Sequence, residues 1–290
     1  MSFLGNFVNT VRRALFPQAV AEREFGTSPA VSMTMEQQIA LWYAMLVNTP
    51  PWQDCNVKAV GLPAAICREV TRPTLVEFTA NITGSQRADY LNDGFQLAKE
   101  SFGKALELGL ALGGVALKPY IYGDKLLVDM TGAAGFQPTK FDPTGRCIGG
   151  VFPNKPVKVN GKYYVRLESH DLTDTVYTIK NKAYYSDSTG SVGAPAPLDV
   201  VPEWADIQEE VTIQNMDGPL FAYFKPPIAN TADTNSLCGM SIYGDAATVE
   251  LIKQADEQWE RLRWEYKSGE RKVLMDGNTS TANMFDKRLV

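Results

Sequence analysis

Histidine is almost missing from this chain. His170 is the only one in 290 residues, and the four cysteines, Cys55, Cys67, Cys147 and Cys238, are widely scattered. A structural zinc site draws about four nitrogen or sulfur ligands, usually from close pairs. With no C-x-x-C pair, none is expected. Cysteines at this density do not build a disulfide framework, so reduced, buried thiols are the expectation. An excess of positive charge is missing too: 28 Lys and Arg face 33 Asp and Glu, a net charge of -5. Proteins that hold nucleic acid by neutralising its phosphates are usually basic, so a DNA partner would not be gripped tightly. No apolar run approaches the roughly 18 residues that a membrane span requires, and no membrane partner is expected. No G-x-x-x-x-G-K-[ST] loop is present to cradle phosphate with backbone amides; Gly109, Gly113 and Gly114 lack the lysine and sit at a helix end. No cofactor is expected.

What the chain has is ordinary globular composition, 44% hydrophobic and 21% charged, with length for one large domain or two smaller ones and for a substantial core. At the N-terminus, Phe3, Leu4, Phe7, Val8, Val11 and Leu15 recur at helical spacing, with Arg12 and Arg13 on the other face. A signal peptide carries its charges before an unbroken apolar core, whereas here they come late, so a short amphipathic helix is expected. Helices are also expected over 33–49, stopped by Pro50 and Pro51, over 56–70, and over 85–112, closed by Gly113-Gly114.

The pattern then changes to strands. VALKPYIY and KLLVDM flank Gly123-Asp124, PVKV and KYYVRLESH flank Asn160-Gly161, and TVYTI and KAYYS flank Lys180-Asn181. Each reads as a two-residue hairpin turn, and Asn-Gly is the strongest such signal. The Ser-, Gly- and Pro-rich stretch 186–198 reads as a surface loop, and EVTIQ and PLFAYFK as two more strands. Helices first and antiparallel strands after them predict an α+β fold. The last clear element opens at Asp245 as N-cap. Val249, Ile252, Ala255, Trp259, Leu262 and Tyr266 form its apolar stripe, Glu257 and Arg261 a favourable i,i+4 pair, and Gly269 its stop. At about 24 residues and 1.5 Å per residue it would be a rod of roughly 36 Å, twice the usual length. RKVLM, beyond it, reads as a strand.

Catalytic constellations are scarce. A Ser-His-Asp triad must use His170, but Ser169 and His170 are strand neighbours whose side chains point to opposite faces, so a surface histidine at a strand end is expected. Pairs of carboxylates for glycoside hydrolysis are easy to imagine among 33 acidic residues and carry no weight. Asp256, Glu257 and Glu260, interleaved with Arg261 and Arg263, read as a solvated or subunit-facing surface, not a metal site. The alternation of aromatic and basic residues in KYYVRLE and WERLRWEYK, which base stacking would use, is explained as well by core packing.

One stretch carries a resemblance. Pro219 to Lys225 (PLFAYFK), Asn230, Gly239 and Ser241, then Ala255-Asp256-Glu257-Gln258, Trp264-Glu265 and Gly269-Glu270, are similar in kind and order to the portal proteins of siphophages of the SPP1/A118 type. LALGGVALKPYIYGDKLLVDM, FQPTKFDPTGRCIGGVF and the YYVRLESH strand resemble the same family, covering roughly 90–290 well and the first 80 residues loosely. Ser236-Leu237-Cys238-Gly239 departs from the family's Ser-Pro-Leu-Gly, which removes a proline from the loop before the long helix. Subunits of this type run well past 290 residues, so the chain is expected to be truncated near the start of the clip.

The resemblance implies an N-terminal helix and arm (1–32), an α+β wing domain (33–244), one long projecting stem helix (245–268) and the beginning of the clip (269–290). It implies a non-enzymatic ring subunit, typically one of twelve, at a capsid vertex of the virion and assembled in the host cytoplasm. Double-stranded DNA would pass through it, and terminase, the major capsid and scaffolding proteins and a head-tail adaptor would be its partners. On the stem helix, Val249, Ile252, Trp259, Leu262 and Tyr266 become candidates for subunit contact, and Glu250, Lys253, Glu257, Arg261 and Glu265 candidates for the channel lining. A minor capsid or adaptor protein and a polysaccharide-acting enzyme are the alternative readings.

Overall fold

A computed structural model describes residues 25–26, 30–53, 57–188 and 190–269. The expected N-terminal helix and the strand at RKVLM lie outside them. Among the described residues the fold is α+β, with four α-helices, then antiparallel sheets, then one long helix. Helix α1 spans Met33–Leu46; its N-cap is Ser32, whose side chain accepts from the Met35 amide, one of the donors a helix start leaves unpaired. Its buried face is Met35, Ile39, Trp42 and Met45. Helix α2 spans Leu62–Val76, with Pro63 in its first turn, where a missing amide proton costs nothing. It starts and ends about six residues later than expected because Gly61, at φ +86°, holds a left-handed turn before it.

The single helix expected over 85–112 is two: α3, Ala88–Lys99, and α4, Phe102–Leu112. The break at Glu100-Ser101 lets the two helices turn separate faces to the body. Gly94 of α3 presses on Leu126, where an added Cβ would lie 2.7 Å from Leu126 Cβ. Leu110, Ala111 and Leu112 of α4 enter the main core. Gly113, at φ +80°, closes α4, and its backbone lies so close to Gly239 that neither residue has room for a side chain.

The first sheet has the order β10-β1-β2, with β1 Val115–Tyr122, β2 Lys125–Gly132 and β10 Ala222–Phe224. Gly123-Asp124 forms the expected turn. Pairing of β10 with β1 stops at Leu117; two residues on, Pro119 has no amide proton to offer on that edge. The second sheet is built on β3-β4-β6-β7-β8, with β5 also on β6 and β9 also on β7. Its strands are β3 Gln137–Phe141, β4 Cys147–Pro153, β5 Val157–Val159, β6 Lys162–Thr173, β7 Val176–Ser186, β8 Pro195–Ala196 and β9 Glu210–Ile213. Asn160 and Gly161, both at positive φ, make the β5–β6 turn. The turn expected at Lys180-Asn181 is absent: both lie inside β7, and the chain reverses at Asp174-Thr175, with Asp174 at φ +54°. Asp is among the residues that tolerate this conformation, and the continuous β6–β7 ladder from Thr173–Val176 to Tyr163–Ser186 outweighs the local signal at 180–181.

The main core joins α1, α2 and α4 to the loop after β10 and to the root of the last helix, α5, Ala246–Gly269. That loop is tightly tied. Asn230 accepts from the amides of Ala232 and Asp233 and donates to the Cys238 carbonyl, and the Ile242 amide donates to the Leu110 carbonyl. Among the described residues no helix is long and apolar enough to cross a membrane.

Candidate functional site

The long helix is fixed at one end. Asp245 caps it, its carboxylate accepting from the Thr248 amide at 3.0 Å; hydrogen bonding within this first turn holds the Asp245 carboxyl below its ordinary range. Just before the cap, Gly244 passes over the Trp42 indole, where an added Cβ would lie 2.6 Å from the ring, and the Tyr243 hydroxyl donates to the Trp42 carbonyl. Then Ile252, 4% exposed, enters the main core with Val249 packed beside it. One turn further, the buried Asp256 accepts from Trp52 Nε1 at 2.9 Å and from the Val60 amide at 2.8 Å. Past Asp256 no residue of α5 is buried, so the last 13 residues, roughly 20 Å of rod, have left the core.

This geometry divides the expected subunit-contact stripe. Ile252 belongs to the protein's own core and is not available to a partner; Val249 is half-buried with it. The reason is mainly axial: at ~100° per residue Trp259 lies only about 20° around the helix from Ile252, but Val249, Ile252 and Asp256 fall on the length of helix that the body covers, and Trp259, Leu262 and Tyr266 fall beyond it. The latter three are 47%, 42% and 74% exposed, and Leu251, 65% exposed, joins their side. The free stripe is therefore Leu251, Ala255, Trp259, Leu262 and Tyr266, spaced four, four, three and four residues apart. Asp256 corrects a second expectation: it is an anchor and not part of a solvated acidic surface.

The channel-lining candidates Glu250, Lys253, Glu257, Arg261 and Glu265 share the remaining side. Glu250, Arg261 and Glu265 are exposed, Lys253 and Glu257 half-exposed. Among the described residues the ion pairs on α5 are Lys253–Glu250 and Arg263–Glu260, both i,i+3; the expected Glu257–Arg261 pair is not one of them. An open cleft of about 750 Å³ separates the helix from the 57–58 segment, lined among others by Lys58, Glu257, Arg261 and Trp264.

A second polar cluster lies inside the body. Arg166, Glu168 and His170 alternate along β6, so the two-residue period of a strand turns all three to one face. Lys118 reaches across from β1 to Glu168 at 2.6 Å, and Arg166 meets the same oxygen at 3.3 Å. His170 lies 2.9 Å from the other Glu168 oxygen through Nε2 and 2.7 Å from the Tyr177 hydroxyl through Nδ1. The expectation of a surface histidine is thus overturned: His170 is 2% exposed, its ring edge-on to Phe152. Burial pulls its pKa down against the supporting hydrogen bond that its Nε2–H donates to Glu168. For Glu168, burial opposes ionisation, but the His170 hydrogen bond and the Lys118 ammonium outweigh it and hold the carboxyl below its ordinary range. Ser169 points to the opposite face, as expected of a strand neighbour. The cluster is enclosed, sets two cations, Lys118 and Arg166, against the one Glu168 carboxylate, and ties the first sheet to the second.

Cys67, Cys147 and Cys238 are free and buried; burial pushes the Cys67 and Cys147 thiols up to about 12, far from the reactive thiolate range. Among the described residues no cluster of His, Cys, Asp and Glu has the make-up of a metal site. No protein-family model matches the chain, and no curated protein matches it.

Proposed function

We propose that this chain is the wing and first stem helix of a tailed-phage portal subunit, acting as a ring-forming structural protein. The observation that carries the reading is that α5 is rooted by Ile252 and Asp256 yet leaves the body with Leu251, Trp259, Leu262 and Tyr266 uncovered. Large apolar side chains aligned on a projecting rod mark an interaction surface, and a ring gives every copy the same neighbour to bury them against. The ordered sequence resemblance over 219–269 supports the same reading.

In this reading the free stripe seals one stem helix to the next, and Val249 and Ile252 hold each helix at its angle to the wing. The mixed charges of Glu250, Lys253, Glu257, Arg261 and Glu265 face the bore. A wall of alternating sign does not condense onto phosphates, so DNA slides along it. ATP-driven translocation falls to the terminase, and the capsid, scaffolding and adaptor contacts to the wing and the clip. A minor capsid or adaptor protein would fold its long helix against its own domain, which the uncovered stripe argues against. A polysaccharide-acting enzyme would present its acid-base groups in a cleft, whereas the His170–Glu168 pair is enclosed.

The test is assembly. Light scattering and negative-stain microscopy of the purified chain should find rings, and Trp259→Ala should weaken them more than Lys253→Ala does. Equal oligomer populations for the two variants would sink the proposal.

A further inference from the structure

The apolar stripe occupies one flank of α5, and the opposite flank borders the open cleft. Counted at ~100° per residue from Arg261, in the middle of the charged face, Ile252 lies about 180° away, where the body holds it. The stripe is centred about 120° round the helix in one sense. Glu260, Arg263, Trp264 and Lys267 are centred about 110° round in the other, and they form one wall of the 750 Å³ cleft. Val57 and Lys58 form the facing wall, and Glu257 and Arg261 line it as well. Trp264 is 67% exposed. Lys58, Arg261 and Lys267 are exposed and take part in none of the ion pairs among the described residues. With Arg263 they set four cations against two carboxylates, so positive charge prevails in the cleft. The edge of the stripe next to the charged face carries the opposite sign: Glu265, exposed and also outside those ion pairs.

We propose that the occupant of this cleft is the apolar stripe of a second copy of the chain. The inference rests on the ring-forming reading of α5 and names the surface on which each stripe lands. Position along the helix supports it. Trp259, Leu262 and Tyr266 lie on the same stretch of α5 as the cleft wall, so a rotation with no shift along its axis brings one to the other. Two different surfaces on opposite flanks make a heterologous contact, and a heterologous contact that repeats without a shift closes into a ring instead of climbing into a filament. Chemistry supports it too. Aromatic rings stack on guanidinium groups, and the aliphatic stems of Lys58 and Lys267 offer apolar surface while their charges stay in water. Glu265 of one copy then stands against Arg261 of the next, at the edge of the charged face. The 57–58 segment enters the contact because the Val60 amide ties its neighbourhood to Asp256, so one buried carboxylate fixes both the helix and the far wall of the cleft.

The test uses the full chain with a photo-crosslinking phenylalanine analogue at Leu262, mixed in equal parts with isotope-labelled chain so that adducts between copies are told from those within one. Irradiation and peptide mapping should join position 262 of one copy to Val57 or Lys58 of another. Glu265→Lys should weaken assembly in light scattering roughly fivefold, as an attractive surface pair becomes repulsive, and adding Arg261→Glu to that variant should restore it. Rings whose adducts join stripe to stripe, or miss residues 57–58, would overturn the pairing and leave the ring reading standing. So would a double variant no better than Glu265→Lys alone. A chain that forms no oligomer would overturn the ring reading and the pairing with it. Arg261, Leu262 and Glu265 are exposed, so these substitutions leave the fold intact, and a far-UV spectrum of each variant verifies it.

Discussion

Replacing Asp256 by alanine should loosen the long helix from its body. The wild-type carboxylate is 2% exposed and accepts two hydrogen bonds, from Trp52 Nε1 at 2.9 Å and the Val60 amide at 2.8 Å. In the alanine variant both donors lose their acceptor. A donor left unsatisfied away from water costs about 1–3 kcal/mol, so the two together put the loss at about 2–6 kcal/mol. The lower end applies if water enters from the side of the 57–58 segment, which is only partly buried. Asparagine at the same position keeps one carbonyl acceptor but turns an amide donor towards the second N–H, so Asp256→Asn should fall between the two. Urea unfolding followed by far-UV circular dichroism measures the global loss. Hydrogen exchange should show faster opening at Val60 and along residues 249–256, with the β6–β7 ladder unchanged. A loss below about 0.5 kcal/mol in Asp256→Ala, with exchange at Val60 unaltered, would refute the view that this carboxylate anchors the helix.

Ile252→Ala removes a fully enclosed side chain from the same root and should cost about 2–5 kcal/mol, whereas Leu262→Lys, on the uncovered stripe, should leave the midpoint of urea unfolding within about 0.5 kcal/mol while reducing oligomer size in light scattering. Stability should fall with acidification in two steps. His170 and Glu168 both have folded-state pKa values below their unfolded ones, so the unfolded chain binds more protons and stability rises with pH. The His170 contribution is complete above about 6.5 and lost as pH drops from there towards its folded value; the Glu168 contribution is lost below about 4.5. Thermal melts between pH 8 and pH 5 should show the first step, and His170→Gln should abolish it; an unchanged pH profile in that variant would contradict the assignment. Lys118→Met, which leaves Glu168 with a diminished set of partners, should cost about 3–5 kcal/mol in urea unfolding.

The order of the elements was readable because local rules decide it. Asp245 caps the helix it was expected to cap, Asn160-Gly161 and Gly123-Asp124 turn where two-residue signals stand, and Gly113 ends α4. Where two local signals competed, the ladder chose. Lys180-Asn181 is a plausible turn by composition, yet Asp174-Thr175 allows an unbroken antiparallel pairing of β6 with β7 that a turn at 180 would destroy. The fate of residues 85–112 was likewise invisible, since a continuous helix and two helices broken at Glu100-Ser101 have the same apolar period.

The candidate site shows the same division. Helical spacing by itself established that α5 is long and that Val249, Ile252, Trp259, Leu262 and Tyr266 are its apolar residues. Only the tertiary structure decided which of them the protein keeps for itself, because apolar spacing records that a side chain shuns water and not which surface relieves it. Val249 and Ile252 go to the body and Trp259, Leu262 and Tyr266 stay uncovered. The carboxylates of Asp256 and Glu168 look in sequence like any of the other acidic residues; their burial depends on Trp52 and Val60 arriving from 196 to 204 residues away, and on Lys118 arriving from 50. A charge is affordable in the interior only when such partners converge on it, and convergence is a property of the fold.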